Sequence, residues 1–267
     1  MWWRSVALKA FYDQWRATVG LAAFMAAYAG FILAIFPSIS SIVQIKDIFE
    51  KLPPAFRALF APGGIDITTP EGYIATEFFS LVGPLLFFAY TIAIGGSATA
   101  GEEERGTIDM LMAMPIPRWR VVFEKFLALV VGTVLLGLAL LGGLALGGAV
   151  AGLQLRFDGL GAIVVGAVLL ALLFGSLALL LGALTGRRTF SIGVAFAAAI
   201  ASYFLYSFSA LVSALEPLRP LSPFTYYIGD NPLVSGILPW NVAVLAGTTV
   251  VFFILALVAF QRRDLRV

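Results

Sequence analysis

Six long apolar runs constrain the fold of this chain more than any other feature; they lie at residues 18–36, 78–100, 126–152, 160–184, 190–215 and 242–260. Each run is long enough for the roughly 20 residues that an α-helix needs to cross the hydrocarbon core of a bilayer. Because lipid offers no hydrogen-bonding partners, a spanning backbone must pair its N–H and C=O groups internally, as a helix does. The sequence therefore predicts an all-α integral membrane protein with six transmembrane helices, folded as one domain over residues 1–267.

The distribution of lysine and arginine predicts the orientation of these helices. Of the 17 basic residues, twelve fall on one side of the predicted spans and five on the other. The side of a membrane protein whose loops carry more lysine and arginine faces the cytoplasm. We therefore expect a multi-pass protein of the cell (plasma or inner) membrane with both termini in the cytoplasm. The twelve are Arg4, Lys9, Arg16, Arg105, Arg118, Arg120, Lys125, Arg187, Arg188, Arg262, Arg263 and Arg266, and the five are Lys46, Lys51, Arg57, Arg156 and Arg219.

Composition excludes several classes of function. The chain has no histidine and no cysteine, which removes imidazole and thiol chemistry and the usual zinc and haem ligands. Its formal net charge of +2 is too small to indicate a nucleic-acid partner. Carboxylates and hydroxyls remain, so composition excludes many enzymes but not all. We expect no metal site and no cofactor.

The apolar runs also lack the groups that ion-coupled carriers and nucleotide sites use. No Asp, Glu, Lys or Arg lies in the middle of a run, and Glu77 is at a membrane edge. Carriers and proton pumps usually keep an ionisable group at that depth. Residues 182–189 resemble a phosphate-binding loop but have three residues between the glycines instead of four, and Arg in place of Lys. If ATP drives this protein, another chain must bind it.

One polar stretch, GEEERGTIDMLMAMPIPRWRVVFEK at residues 101–125, is the only predicted cytoplasmic connection large enough to hold a folded element. Thr107 is suited to cap the N-terminus of a short helix, and Pro115 and Pro117 would end it. Three apolar side chains share one face of that helix at helical spacing: Ile108, Leu111 and Met112. The pattern is typical of a short helix that docks onto another protein at the membrane surface.

This stretch resembles the cytoplasmic signature of type-2 ABC transporter permeases, in which an E-R-G-T core precedes a leucine-rich helix, a P-[IV]-x-R turn and a lysine before the next span. Residues 70–80, 221–224 and 260–265 resemble the family's start of the second span, its last external loop and its C-terminal end. The resemblance covers essentially the whole chain. The sequence departs from the pattern at three methionines where leucine or serine is commoner, which affects contacts with a specific partner: Met110, Met112 and Met114.

The resemblance implies a non-catalytic permease subunit that forms the substrate path and exports its cargo. It would pair with a second permease, as a homodimer or a heterodimer, and with two copies of an ABC ATPase subunit that hydrolyse ATP. Residues 101–115 would form the coupling helix in a groove of the ATPase. The lipid bilayer is the remaining partner, with no nucleic acid. The residues implied to couple the permease to the ATPase are Glu104, Arg105, Gly106, Thr107, Ile108, Leu111, Met112 and Pro115. Glu103 is expected at an exposed rim, where its loss would have little effect.

Two other classes of protein remain open from the residues alone. A membrane scaffold or assembly factor would use the same short helix to dock a partner that is not an ATPase. Co-purification of an ATPase with a phosphate-binding loop distinguishes this alternative from a permease. An ion-coupled secondary carrier is disfavoured by the uncharged spans. Transport that is abolished by a protonophore but unaffected by ATP depletion would support an ion-coupled carrier.

The sequence predicts a structure for each of three segments outside the spans. Aromatic and small residues recur every four positions near the N-terminus and predict an interfacial helix on the cytoplasmic surface: Trp3, Ala7, Phe11 and Trp15. Residues 42–60 are expected to form two short amphipathic helices on the outer face. Residues 216–240 contain five prolines and are expected to be irregular or re-entrant. Their expected membrane anchors are Tyr226, Tyr227 and Trp240.

Glycine and proline within the spans predict close packing and one kink. Three pairs have GxxxG spacing, which allows helix backbones to approach closely: Gly143 with Gly147, Gly148 with Gly152, and Gly182 with Gly186. We expect these pairs to serve packing within the chain. Pro84 removes a backbone donor from the second run, so we expect a kink there.

Overall fold

A computed structural model describes residues 6–40, 51, 53, 56, 68–106 and 117–263. These residues form helices with no β-strand among them, which confirms the predicted fold class. In this part of the chain, six helical stretches are long and apolar enough to cross a membrane. The α-helices are α1 (Val6–Ser40), α2 (Pro70–Ile74), α3 (Val82–Ser97), α4 (Ala100–Glu104), α5 (Arg118–Val150), α6 (Phe157–Thr185), α7 (Arg188–Ser209), α8 (Pro223–Ile228), α9 (Pro232–Ser235) and α10 (Pro239–Arg262).

The N-terminal amphipathic segment is not a separate helix. From Val6 onwards it forms the first turns of α1, which continues without a break to Ser40. No glycine or proline lies between Val6 and Gly20, so nothing in the sequence interrupts the ladder of backbone hydrogen bonds. The expectation of a distinct interfacial helix was therefore wrong for the described residues. The two short helices expected at residues 42–60 fall almost entirely outside the residues that the structure describes.

The second span is interrupted before Pro84 and not at it. A π-helical turn, Ala75–Phe79, separates α2 from α3, and the break follows at Leu81, whose φ and ψ are −138° and −53°. Pro84 is the third residue of α3, where first-turn N–H groups have no intrahelical partner, so its missing donor costs little. The backbone N–H and the hydroxyl of Ser80 both donate to the carbonyl of Ala75, each at 2.8 Å. Ser80 thus satisfies a carbonyl that the interruption would leave unpaired.

Glycines allow α1 and α5 to pack backbone against backbone. A Cβ atom on Gly143 would lie 2.2 Å from the carbonyl oxygen of Ala26, and one on Gly147 would lie 2.3 Å from that of Gly30. Neither position has room for a side chain. The predicted use of this GxxxG pair for packing within the chain is confirmed. A second close approach, between Gly95 of α3 and Gly175 of α6, has no GxxxG spacing in the sequence.

Helix α6 lies at the centre of the bundle. It packs against α3, α5, α7 and α10, and it is the most completely buried of the six spans. The core therefore forms around its uniformly apolar surface. An aromatic cluster adds to that core where Phe88 of α3 meets Phe174 of α6 edge to face, with ring centroids 5.1 Å apart.

The six spans alternate in direction between two ends of the bundle. One end, here called the proximal face, contains Ala7, near the first described residue, and Arg263, the last one. Ala7 donates to Glu124 at the start of α5, and Arg263 pairs with Glu103 just after α3. The opposite end, the distal face, carries the α5–α6 and α7–α10 connections.

The connection between α7 and α10 re-enters the bundle. It consists of a 3₁₀ helix (Glu216–Leu221) followed by α8 and α9, which pack against the bundle; this segment is helical rather than irregular, and its re-entry into the membrane stays a prediction. Phe224 of α8 is buried against Phe88, and the Tyr227 hydroxyl donates to the Phe79 carbonyl at 3.1 Å. Of the expected membrane anchors, Tyr227 is therefore a core residue, whereas Trp240 is 71% exposed.

Candidate functional site

Three consecutive glutamates, Glu102, Glu103 and Glu104, lie on the proximal face between α3 and α5. They occupy the last turn of α4, a helix that begins three residues after α3 ends. Gly106 follows with a φ of +65°, a conformation that favours glycine. Each of the three carboxylates contacts a different part of the bundle. Together with their partners, they are called here the glutamate junction.

Glu102 connects α4 to the start of α5. Its carboxylate pairs with the Lys125 ammonium group at 2.8 Å, and the side chain of Lys125 is only 10% exposed. Arg105 approaches the same carboxylate at 3.5 Å, but its side chain is 65% exposed. Because an exposed ion pair contributes little, the Lys125 contact is the one that fixes Glu102.

Glu103 connects α4 to the ends of α6 and α10. Both of its carboxylate oxygens accept hydrogen bonds from the Arg263 guanidinium group, and its own side chain is 8% exposed. Arg263 also donates to the carbonyl oxygens of Ala183, at 3.1 Å, and Gly182, at 3.5 Å, in the last turn of α6. The Gly182 carbonyl also accepts from the backbone N–H of Gly186 at 2.9 Å, whereas the Ala183 carbonyl is among the last four of α6, which have no intrahelical donor. The guanidinium group therefore supplies a donor to Ala183 and a positive charge at the C-terminal end of α6.

The space for this pair depends on Gly186. A Cβ atom at that position would lie 2.1 Å from an Arg263 guanidinium nitrogen and 2.5 Å from a Glu103 carboxylate oxygen. Its φ of +64° ends α6 in the left-handed conformation. Gly186 thus ends the fourth span and makes room for the ion pair. The sequence predicted that Gly186 would serve helix packing as part of a GxxxG pair. In the structure it instead ends α6 and leaves space for the Glu103–Arg263 pair.

Glu104 caps the fifth span. Its carboxylate accepts a hydrogen bond from the backbone N–H of Arg188 at 2.8 Å, in the first turn of α7. Arg187, the residue at the N-cap position of α7, supplies no side-chain cap of its own. A carboxylate is favoured there because the free N–H groups and the helix dipole place positive charge at a helix N-terminus.

A fourth glutamate attaches the first span to the same face. Glu124 of α5 accepts a hydrogen bond from the backbone N–H of Ala7 at 2.8 Å and another from the Arg120 guanidinium group at 2.7 Å. Glu124 is 7% exposed, adjoins Lys125 in sequence and accepts from an N–H in the first described turn of α1. Carboxylates on the proximal face therefore contact α1, α5, α7 and the residue that follows α10, and Arg263 extends this network to α6.

Comparison with known proteins identifies the molecule that carries this junction. The model of a family described as ABC-2 family transporter protein matches residues 4–265, nearly the whole chain. The chain is an ABC-2 family permease. No curated protein matches it. Family membership implies a membrane subunit, generally non-catalytic, that associates with ABC ATPase subunits.

The ABC-2 permease contains only part of its predicted coupling site within the described residues. Glu104 and Arg105 belong to the glutamate junction, and Gly106 makes the turn that leaves it. Five of the predicted coupling residues lie outside the described ranges: Thr107, Ile108, Leu111, Met112 and Pro115. The expectation that Glu103 lies at an exposed rim was wrong, because its side chain is buried against Arg263.

The sequence alone did not indicate which residues complete the glutamate junction: Lys125, Ala183, Gly186, Arg188 and Arg263. The positions of the basic residues in the sequence did indicate which of them share a membrane face with the glutamates. Lys125, Arg188 and Arg263 each lie beside an end of an apolar run that the lysine and arginine distribution assigns to the same side as Glu102 to Glu104. That distribution shows that these charges share a face. It does not show which glutamate meets which base, because the pairing depends on how the helices pack.

Proposed function

We propose that this chain is the permease subunit of an ABC exporter, and that the glutamate junction transmits movement of a separate ATPase to the spans. One observation carries this proposal: three consecutive glutamates, just before residues 107–116, each contact a different transmembrane helix end. The family membership supports the transporter class. Export, two ATPase copies and a second permease follow the family resemblance and belong to the proposal, as does a cytoplasmic proximal face in the cell membrane.

The chemistry of the junction suits the transmission of force. A displacement of α4 is passed to α5 through Lys125, to α6 and α10 through Arg263, and to α7 through the Arg188 N–H. Loss of one partner from a buried ion pair costs roughly 3–5 kcal/mol, whereas exposed pairs contribute about 0–1 kcal/mol. The Glu103–Arg263 pair is of the buried kind, so it resists separation while the helices move.

The segment that follows supplies the contact with the ATPase in this proposal. Within the proposed coupling segment, residues 101–115, Ile108, Leu111 and Met112 lie on the face that enters a groove of the partner. Loss of a buried anchor side chain from such an interface costs at least ~2 kcal/mol, far more than loss of a rim residue. Leu111 is central in this set and is the residue whose change separates the alternatives most clearly.

The test compares Leu111→Asp with Ala113→Asp. Position 113 lies on the opposite face of the predicted helix, so both variants add the same charge but only the first places it in the interface. We expect Leu111→Asp to release a co-expressed ABC ATPase or to uncouple its hydrolysis from transport, and Ala113→Asp to behave as wild type. ATPase co-purification and vesicle transport measure both outcomes. Full assembly and full transport by Leu111→Asp would show that this segment does not couple the two proteins.

A further inference from the structure

One carboxylate of the second span, that of Glu77, faces away from the bundle. Glu77 lies in the π-helical turn Ala75–Phe79 and is the one exposed residue of that turn, since the other four are buried. Such turns are rare and occur often at functional sites. Glu77 makes no ion pair with any residue in the described part of the chain. The span therefore presents a carboxylate on its outer surface without a counter-ion from the described chain.

The contacts of the second span place Glu77 just inside the distal edge of the apolar runs. Tyr73 packs against Phe36, the last residue of the first apolar run, with ring centroids 5.3 Å apart. Because the second span starts at the distal face, Glu77, four residues after Tyr73, lies about 6 Å further in. A charge at that depth is costly without a partner, and an ionisable residue there usually has a function.

Aromatic residues of α1 and of the second span adjoin this carboxylate. Tyr73 interacts electrostatically with Glu77 and with Tyr28 of α1. The Tyr28 ring stacks on Phe24, with centroids 5.8 Å apart, and contacts Phe78 at 6.1 Å. Phe24 is 53% exposed, and Tyr28 and Tyr73 are partly exposed. This aromatic surface is therefore accessible from outside the chain, as the carboxylate is.

One carboxylate beside exposed aromatic rings suits an organic cation. Ring faces attract a cation, and the attraction increases when water is excluded. Calcium and magnesium ions instead require about six or more oxygen ligands, and no group of three Asp or Glu side chains among the described residues could hold such an ion. A ligand that reaches this surface from the bilayer must also have an apolar body, because it dissolves in the hydrocarbon core.

We infer that Glu77, Tyr73 and Tyr28 form a binding site for the head of an amphiphilic organic cation, of the quaternary ammonium or phosphonium class, on the distal half of the bundle. Glu77 supplies the counter-charge, and the two tyrosine rings contact the cation. Phe24 extends the surface along which the apolar body of the ligand lies. The inference does not depend on an ATPase partner or on the direction of transport.

The test measures the binding of radiolabelled tetraphenylphosphonium to the full-length chain in phosphatidylcholine nanodiscs, with empty nanodiscs to measure partition into lipid. We expect Glu77→Gln, which has the shape of the protonated acid, to weaken binding at least ~10-fold because it removes a counter-charge from a surrounding of low dielectric constant. Tyr73→Leu should weaken binding ~3-fold, whereas Tyr73→Phe, which keeps an aromatic ring, should bind as wild type.

Glu71→Gln is the matched control for the loss of charge. Glu71 lies in the first turn of α2 and interacts electrostatically with Arg156, so the variant removes the same charge from the same helix end but not from the site. It should bind tetraphenylphosphonium as wild type. Tetraphenylborate, an anion of the same shape, is the comparison probe. It should bind wild type more weakly than the cation does and should lose no affinity in Glu77→Gln.

Four results would contradict the inference. Equal tetraphenylphosphonium affinity of wild type and Glu77→Gln would overturn the site, as would an equal loss in Glu71→Gln. If Glu77→Gln does not fold, the Tyr73 variants decide, and equal affinities of Tyr73→Leu and Tyr73→Phe would overturn the aromatic contact. Full displacement of the probe by millimolar magnesium would overturn the organic cation.

Discussion

The Glu103–Arg263 pair should be energetically coupled, and a double-mutant cycle measures the coupling. Glu103→Gln leaves the guanidinium group of Arg263 with two α6 carbonyls but no counter-charge. Removal of one partner from a buried pair costs roughly 3–5 kcal/mol. Because those carbonyl bonds remain and the Arg263 side chain is 17% exposed, we expect the lower end of this range, about 3 kcal/mol. Arg263→Gln should cost a similar amount, since it leaves Glu103 buried without its cation.

The double variant should be more stable than the sum of the single losses predicts. If the pair acts as a unit, we expect a coupling energy of about 1.5–3 kcal/mol, within the range for contacting residues. Reversible unfolding in mixed micelles, with helicity followed by circular dichroism, measures each free energy. The Arg156–Asp158 pair, whose side chains are 59% and 60% exposed, is the matched control and should show no measurable coupling. A Glu103–Arg263 coupling no larger than that of the control would refute the buried-pair argument.

Three further outcomes are expected. A single cysteine at Ser235 should react with an impermeant thiol reagent in intact cells and one at Thr107 should not; external labelling at Thr107 would reverse the proposed orientation. Gly143→Val should destabilise the bundle by at least ~1–3 kcal/mol because its Cβ meets the backbone of Ala26, whereas Gly142→Val, with no atom within 4 Å of its Cβ, should be nearly neutral in the same unfolding assay. The purified chain should hydrolyse no ATP until an ABC ATPase is co-expressed; hydrolysis by the chain alone, free of contaminants, would contradict a separate motor.

The number and positions of the spans were predictable because a helix that crosses a bilayer must be apolar over about 20 consecutive residues. A run of about 20 apolar residues has one low-energy state in a bilayer, and each predicted span overlaps one of the six long helices of the described chain. The limits of the spans were less predictable. Helix α1 begins well before its apolar run, since the polar residues ahead of Thr18 contain no helix breaker.

The glutamate junction could not be predicted residue by residue because its contacts are long-range. Glu103 and Arg263 are 160 positions apart, and Glu104 and the Arg188 N–H are 84 apart. Their meeting depends on the packing of α3, α6, α7 and α10. A local interpretation of the charges as a solvated rim was therefore reasonable for Arg105 but wrong for Glu103. The same limit applies to Gly186, whose lack of a side chain matters only because an arginine from the last span occupies that space.

The re-entrant segment has a consequence for the order in which the protein is made. Phe224 and Tyr227 of α8 pack against Phe88 and Phe79 in the second span and against α6, the fourth, all of which leave the ribosome earlier. Helix α8 is six residues long and too short to span the bilayer, so it cannot insert as an independent hairpin. The helices against which α8 packs in the second and fourth spans are synthesised before α8. Chain synthesis therefore completes these partners before α8 itself, and α10, which also packs against α8, is made after it.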